Sequence, residues 1–172
     1  MNDTIVDTLR RRARYHSIPL LVGAVSLLAF GCQGQDNNTS IPLKEFSAQI
    51  RPLESSKTVP AGDSSPTQLE IKNTGNQTWP AKAIDAKGTN AVDVSYHLLD
   101  AEGKVVVFDG ARTGLPGDVK PGETVKIAAN LTAPNAPGKY VARFTLVQEY
   151  VSWFDAAKPS NAVDVPLTVL PK

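Results

Sequence analysis

Residues 92–108 read Val-Asp-Val-Ser-Tyr-His-Leu-Leu-Asp-Ala-Glu-Gly-Lys-Val-Val-Val-Phe, and this stretch decides the fold. Apolar side chains alternate with polar ones over its first seven residues, which is the pattern of a β-strand with two different faces. Asp100 to Gly103 then provides turn-forming residues, including a glycine that can adopt positive φ. Because a second apolar run begins at Val105, the stretch predicts a β-hairpin.

Alternation of the same kind recurs along the rest of the chain. It is present at residues 68–72, 125–131, 140–147 and 163–169, and turn-forming residues separate these segments. Pro121-Gly122 and Pro137-Gly138 each fit the central pair of a type II turn just before a strand. No segment shows extended helical spacing. The sequence therefore predicts an all-β, antiparallel, immunoglobulin-like β-sandwich of about seven to eight strands.

The chain contains one cysteine, Cys32, so no disulfide within the chain can join the two predicted sheets. The sandwich must instead be held by its core, in which each buried large apolar side chain contributes about 1.5 to 3 kcal/mol. Cys32 follows the apolar run from Ile18 to Phe30, and four arginines lie in residues 10–14. A basic segment, a short apolar run and a small residue before the cut are typical of a secretory signal peptide.

A membrane-spanning helix is the weaker interpretation of this run, because its 13 residues would rise only about 20 Å against a hydrocarbon core of about 30 Å. An uncut anchor with Cys32 as a buried thiol is the alternative. Leu28-Ala29-Phe30-Gly31-Cys32 resembles the lipobox of bacterial lipoproteins, although leucine is more usual at the place of Ala29. In that family the cysteine becomes linked to diacylglycerol, carries acyl chains such as palmitate, and is the N-terminus after cleavage.

The resemblance implies a signal peptide at residues 1–31 and a lipoprotein anchored to a membrane through Cys32. Residues 33–40 are polar and show no periodicity, so residues 32–43 are predicted to be a flexible tether and residues 44–172 the sandwich. Gln33 occupies the place where aspartate tends to retain Gram-negative lipoproteins at the inner membrane. By resemblance, a Gram-negative cell would carry this protein on the periplasmic face of the outer membrane.

The charge balance of the mature chain does not favour a nucleic-acid partner. Removal of residues 1–31 would leave 14 basic and 15 acidic residues, so the mature chain would have a net charge of −1. Nucleic acids demand a basic excess or stripe, and a nucleic-acid partner is not expected. The lipid on Cys32 is therefore expected to be the only membrane anchor. His97 would be the one remaining histidine, so no metal site and no cofactor are expected.

The candidate catalytic residues are few. His97 lies two residues from Ser95 on a predicted strand, about 7 Å away, and we expect a hydrogen-bonded or solvated histidine on a sheet face. Asp100, Glu102 and Asp109 lie in or near predicted turns, where acidic residues are common without any catalytic role. No phosphate-binding glycine loop precedes a helix. The chain is therefore predicted not to be an enzyme, with no catalytic residues.

A further resemblance rests on five segments in one order: Lys72-Asn-Thr-Gly-Asn-Gln-Thr-Trp-Pro80, Val94-Ser-Tyr-His-Leu-Leu-Asp-Ala-Glu-Gly103, Asp109-Gly-Ala-Arg-Thr-Gly-Leu-Pro116, Ala133-Pro to Pro137-Gly-Lys-Tyr140, and Leu146-Val-Gln-Glu-Tyr-Val-Ser-Trp-Phe154. Together they resemble the immunoglobulin-like accessory module found C-terminal to some bacterial glycosyltransferases and methyltransferases. They are also similar to the glycan-binding sandwich of O-antigen ABC transporters. The resemblance covers about residues 65–157 and implies the same fold. The module more often has glycine where this chain has Tyr150.

Aromatic residues near strand ends are the best candidates for ligand binding, because a flat ring can lie against the apolar face of a sugar. They are Trp79, Tyr150, Trp153 and Phe154. Polar neighbours that would bind sugar hydroxyls are Gln148, Glu149 and Asp155. Arg112 is a candidate for binding a carboxylate. The alternatives are that the tryptophans cap the core and that Arg112 forms an internal salt bridge.

Two functions of different classes follow. The first is a lipid-anchored, non-catalytic module of the cell envelope that recognises glycan or another surface polymer. The second is a structural or protein-interaction subunit of an envelope complex, which would dock a partner through an edge strand or through the surface of residues 150–154.

Overall fold

The computed structural model describes residues 42–172. The predicted signal peptide, Cys32 and all but the last two tether residues lie outside the described residues. The described part of the chain forms ten strands and two short helical turns. They are β1 (Ala48–Pro52), β2 (Lys57–Pro60), β3 (Ser64–Asn73), β4 (Val92–Leu99), β5 (Val105–Val107), β6 (Thr113–Gly114), β7 (Thr124–Thr132), β8 (Gly138–Gln148), β9 (Ser152–Trp153), α1 (Phe154–Ala157), a 3₁₀ turn (Pro159–Asn161) and β10 (Val163–Leu170).

The strands form two sheets. The small sheet has the order β1-β3-β7, and the large sheet has the order β2-β10-β8-β4-β5, with β6 also paired to β4 and β9 to β8. All strand pairs are antiparallel except β2 with β10, which is parallel. Because β1 and β2 belong to different sheets, the segment between them links the two layers without a disulfide.

The predicted all-β sandwich is confirmed. The alternating segments became β3, β4, β7, β8 and β10, and the turn before β5 has Gly103 at a φ of 81°. The strand number exceeds the expected seven to eight because β5, β6 and β9 are only two or three residues long. Strands that short contain too few residues to show an alternating pattern.

The core lies between the sheets and is closed at one end by aromatic rings. The inner faces of β3, β4, β7, β8 and β10 contribute buried aliphatic and aromatic side chains. Phe154 meets Trp79 edge to face at 5.4 Å between ring centroids and meets Phe46 at 5.2 Å. Such pairs add about 0.5 to 1.5 kcal/mol beyond the burial of their area. The rings therefore fasten α1 and the loop before β4 to the core.

The outer face of β4 and β8 is also buried, which is unusual for an antiparallel sheet with one solvated side. Ser95, His97, Thr145 and Val147 lie on this face and are buried. The chain from β9 to the 3₁₀ turn folds back over it, and the Thr145 hydroxyl donates to the carbonyl of Asn161 at 3.0 Å. A partial third layer thus covers the middle of the large sheet.

The N-terminal segment is fixed to the sandwich by two buried side-chain amides. The Oε1 atom of Gln148 accepts a hydrogen bond from the Leu43 amide at 2.8 Å, and the Oδ1 atom of Asn161 accepts one from Ala48 at 2.9 Å. Leu43 is itself buried in the core. Leu43 is therefore held against the sandwich. None of the helices in residues 42–172 is long and apolar enough to cross a membrane.

Candidate functional site

Three rings form a cluster on the outer face of the large sheet. His97, on β4, stacks on Phe108 with centroids 4.5 Å apart and planes 21° apart. The Trp153 ring lies 4.5 Å from His97 and 5.4 Å from Phe108. We call His97, Phe108 and Trp153 the aromatic cluster. Phe108 is 59% exposed, so the cluster presents one open ring to solvent.

His97 is engaged inside this cluster. Its Nδ1 atom contacts the carbonyl oxygen of Phe108, and its Nε2 atom lies 3.3 Å from a carboxylate oxygen of Asp155. The Ser95 hydroxyl donates to the carbonyl of Gly110 at 3.0 Å and also contacts Arg112. His97 is buried and both of its ring nitrogens have oxygen neighbours, so the geometry is that of the hydrogen-bonded sheet-face histidine expected from the sequence.

Arg112 holds the cluster to the end of β8. Its guanidinium carbon lies 4.9 Å from the centre of the Trp153 ring, a cation–π contact. Its nitrogens donate to Glu149, to Asp109, to the Ser95 hydroxyl at 3.0 Å and to the Gly110 carbonyl at 2.9 Å. Burial disfavours the charge, but the hydrogen bonds to Glu149 and Asp109 outweigh it and raise the pKa of Arg112. Of the two roles expected for Arg112, binding a ligand carboxylate or forming an internal salt bridge, the structure shows the salt bridge.

A glycine allows the loop of Phe108 and Arg112 to lie against β4. The Gly110 amide donates to the Tyr96 carbonyl oxygen at 3.0 Å, and a Cβ atom at Gly110 would lie 2.6 Å from that oxygen. Real Cβ atoms essentially never come so close to a backbone atom. The close approach therefore requires glycine, and it fixes the positions of the side chains on both sides of it.

The carboxylates near Arg112 outnumber its single charge. Asp93 lies on the same face of β4 as Ser95, and desolvation raises its pKa. Repulsion from Glu149 raises the pKa further, while Arg112 acts in the opposite direction. The surroundings of Arg112 are thus acidic, and an additional carboxylate ligand would meet repulsion there. This argues against the predicted capture of a ligand carboxylate by Arg112.

Two of the predicted ligand-binding aromatics are in the wrong place for that role. Trp79 and Phe154 are both 0% exposed, because they pack against each other in the core. Neither ring can stack on a ligand at the surface, and the capping interpretation of Trp79 is the one that the structure shows. Gln148 is also fully buried, with its amide oxygen and nitrogen bound to Leu43 and Asn90. It is therefore not a ligand contact.

The other two predicted aromatics lie at the surface. Trp153 is half-buried, since Arg112 and His97 occupy much of its surroundings. Tyr150 is 74% exposed in the turn between β8 and β9, and its φ is 61°. Left-handed backbone disfavours every residue with a Cβ atom, which explains why glycine is more usual at this place in the resembling module.

Sequence reasoning missed Phe108. The sequence predicts only the second strand of a hairpin from Val105 to Phe108, whereas β5 ends at Val107 and Phe108 begins the loop that crosses the outer face. The signal available was an aromatic residue directly before Asp109-Gly110, a turn-forming pair. Within residues 42–172, no three His, Cys, Asp or Glu side chains come together to hold a metal ion.

A protein-family model matches most of the folded domain. The model of the family described as "Ig-like domain from next to BRCA1 gene" matches residues 53–156. That range includes β2 to β9, the aromatic cluster and Arg112. No curated protein matches the chain.

Among solved structures, three matches have low sequence identity to the chain. The CARDB domain of a Pyrococcus furiosus protein, determined in complex with di-metal ions, has 13% identity and a TM-score of 0.39, over 73% of this chain and 93% of that one. A family 123 glycoside hydrolase from Clostridium perfringens has 9% identity and a TM-score of 0.37, over 73% of this chain and 27% of the enzyme. A beta-glucosidase from Listeria innocua has 14% identity and a TM-score of 0.37, over 72% of this chain and 16% of the enzyme. The chain thus spans only a small part of either hydrolase.

Proposed function

The chain belongs to the family described as the Ig-like domain from next to BRCA1 gene, and from this premise we propose that it is a non-catalytic binding module, anchored in the cell envelope by lipid on Cys32, that recognises glycan. The exposed ring of Phe108 is the observation that carries the proposal. One face of this ring is backed by His97, and the side chain remains 59% exposed. A rigid ring open to solvent on one side is the kind of platform on which the apolar face of a sugar stacks.

Polar groups suited to sugar hydroxyls surround this ring. The Asp109 carboxylate is largely exposed beside it, and the carboxylate of Asp155 lies next to His97. Arg112 and Trp153 fix the geometry, because each has several partners within the domain. Preorganised side chains lose little conformational entropy on binding, which favours affinity for a polar ligand. The resemblance to accessory modules of sugar-modifying enzymes supports the same ligand class.

A titration with cell-envelope polysaccharide, followed by NMR amide shifts, tests this proposal. We expect shifts centred on Phe108, Asp109 and Trp153, and we expect Phe108→Ala to weaken binding at least tenfold. Leu53→Ala is the matched control, because Leu53 is also an exposed apolar residue but lies between β1 and β2. Absence of shifts at the aromatic cluster, or equal loss in both variants, would refute glycan recognition there.

A protein partner is the second candidate, and exposed apolar side chains on β5 favour it. Val105 and Val106 are exposed directly beside Phe108. The pairing of β4 with β5 shifts register between Leu98 and Leu99, and such bulges hinder the addition of another strand. A partner would therefore contact the side chains of this edge. Co-purification of one envelope protein that is lost in Val106→Asp, with glycan binding absent, would favour this candidate.

Lipid attachment has its own test. Cys32 is the only thiol in the chain, so metabolic labelling with an alkyne palmitate analogue reports on a single site. We expect labelling of the protein and its recovery in the membrane fraction, and we expect Cys32→Ser to lose both. A Cys32→Ser protein that stays in the membrane would favour the uncut anchor instead.

A further inference from the structure

The chain enters the domain at one identifiable end of the sandwich. Leu43 is bound by Gln148, the last residue of β8, and the Lys44 amide donates to Gln77 at 2.7 Å. The Asn90 amide donates to the carbonyl of Glu149 at 3.0 Å, which places the loop before β4 beside the turn after β8. We call the loops 42–47, 74–91 and 149–151 together the tether end. The hairpin turn at 100–103 lies at the opposite end of β4.

Exposed apolar side chains are present at the tether end. Ile84 is 56% exposed, Tyr150 74% and Val151 39%. Tyr150 also keeps a left-handed backbone at a φ of 61°. This conformation is strained for a bulky residue, and a side chain this exposed recovers little of the strain through packing within the domain. The exposed ring of Tyr150 is therefore suited to a contact with a surface outside the domain.

The tether limits how far this end can lie from the anchored lipid. Ten residues, 33–42, separate Cys32 from Leu43. Ten residues can span at most about 35 Å. A surface held this close experiences an effective concentration of order millimolar, at which weak contacts become populated. The bilayer is therefore the surface that the tether end meets most often.

We infer that the tether end rests on the bilayer, with Tyr150, Ile84 and Val151 in the interfacial region of the lipid; this inference rests on the lipid anchor of the proposed function. Tyrosine is enriched at the membrane–water interface because its ring is apolar and its hydroxyl is polar. The exposed charges nearby are mixed, with Lys82 and Lys87 beside Asp85. Hydrogen bonds from Thr89 lower the pKa of Asp85 below its ordinary value. The contact is therefore apolar rather than electrostatic.

A tether end on the bilayer would fix the orientation of the aromatic cluster relative to the membrane. Phe108 and His97 lie on a sheet face, between the two ends of the sandwich. With the tether end on the membrane, the strands stand away from the bilayer and the open ring of Phe108 faces sideways. A ligand would thus be reached along the membrane surface.

The experiment couples the chain from Cys32 onward, whose residues 42–172 enclose a complete core, to a maleimide phospholipid through its single thiol. The product is placed in phosphatidylcholine nanodiscs that contain a spin-labelled lipid. We expect NMR broadening at residues 84, 150 and 151 that is at least threefold stronger than at the hairpin turn 100–103. Uniform or absent broadening would overturn the inference.

Variants sharpen the test. Tyr150→Gly suits the left-handed backbone, so it keeps the fold, and we expect it to reduce the broadening at residues 84 and 151 at least twofold. Leu53→Ala is the control, because Leu53 is also exposed and apolar but follows the end of β1 that points away from the tether end, and it should leave the broadening unchanged. Raising the salt concentration, or adding anionic phosphatidylglycerol, should change little, and a strong dependence on either would refute an apolar contact. Because the lipid is attached chemically, failure here leaves cellular lipidation untouched, and failure of the palmitate labelling above leaves this result standing.

Discussion

The inner and outer faces of β4 are both buried, but different interactions bury them. Val94, Tyr96 and Leu98 face the core, where contacts are apolar and act without strict direction. Ser95 and His97 face outward. They are covered by the loop 108–112 and by the chain from Trp153 onward, which are held by hydrogen bonds, ring stacking and Arg112. The inner face therefore determines whether the domain folds, whereas the outer face determines what surface it presents. Substitutions should separate these two roles.

The largest difference is expected between the two tryptophans. Trp79→Ala removes a fully buried ring that contacts Phe154, and we expect a loss of about 3 to 5 kcal/mol in the free energy of unfolding. Trp153→Ala removes a half-buried ring and should cost about 1 to 2 kcal/mol. Urea denaturation followed by circular dichroism measures both. Equal losses would contradict the division between the faces.

The second difference concerns the loop over the outer face. Gly110→Ala forces a Cβ atom to within 2.6 Å of the Tyr96 carbonyl, so the loop must shift, at an expected cost of about 2 kcal/mol. NMR should show altered shifts at His97, Phe108 and Trp153, with the core resonances largely kept. Gly117→Ala is the matched control, because a Cβ atom there would meet nothing within 4 Å. Similar perturbation by the two variants would contradict the role given to Gly110.

Replacing threonine by valine should change the stability of the domain in opposite directions in the core, at Thr67, and on the outer face of the large sheet, at Thr145. Thr67 is fully buried on β3, and its hydroxyl has no hydrogen-bond partner in the structure. Thr67→Val removes this cost and should stabilise the domain by about 1 kcal/mol. Thr145→Val leaves the Asn161 carbonyl without its donor and should destabilise it by about 1 kcal/mol. The thermal unfolding temperatures of the two variants test this. If both variants were stabilised, or both destabilised, the difference between the core and the outer face would be contradicted.

The smallest effect is expected at Asp93 and depends on pH. Its folded pKa is raised above the ordinary value of 3.8 by desolvation and then by Glu149. The folded state thus binds the proton more tightly than the unfolded state, so this group favours folding below pH 3.8 and loses that contribution as pH rises through the folded pKa. Asp93→Asn should therefore raise the unfolding temperature slightly at pH 7, and the gain should vanish at pH 3. A gain that is larger at pH 3 would have the wrong sign.

The long strands were predictable from sequence, while the outer layer was not. Each long strand has at least one apolar face, so its alternation is visible within a few residues, as in Leu69 and Ile71. The aromatic cluster depends on contacts between distant residues, and Arg112 and Glu149 lie 37 positions apart. Sequence could also not distinguish Trp79, in the core, from Trp153, at the surface. Both are tryptophans near predicted strand ends, and their neighbours in space, which differ, cannot be inferred from the sequence.

The two buried amides that fix the N-terminal segment also determine the order in which the domain assembles. The Ala48–Asn161 and Leu43–Gln148 hydrogen bonds join residues 113 and 105 positions apart. Contacts of such long range require most of the chain to be ordered beforehand, because the entropy of closing the loop must be offset first. Residues 43–48 should therefore dock late, and folding should take of order milliseconds to seconds, as in other β-sandwiches. During synthesis on the ribosome, this segment would therefore stay free until residues 148–161 had also emerged.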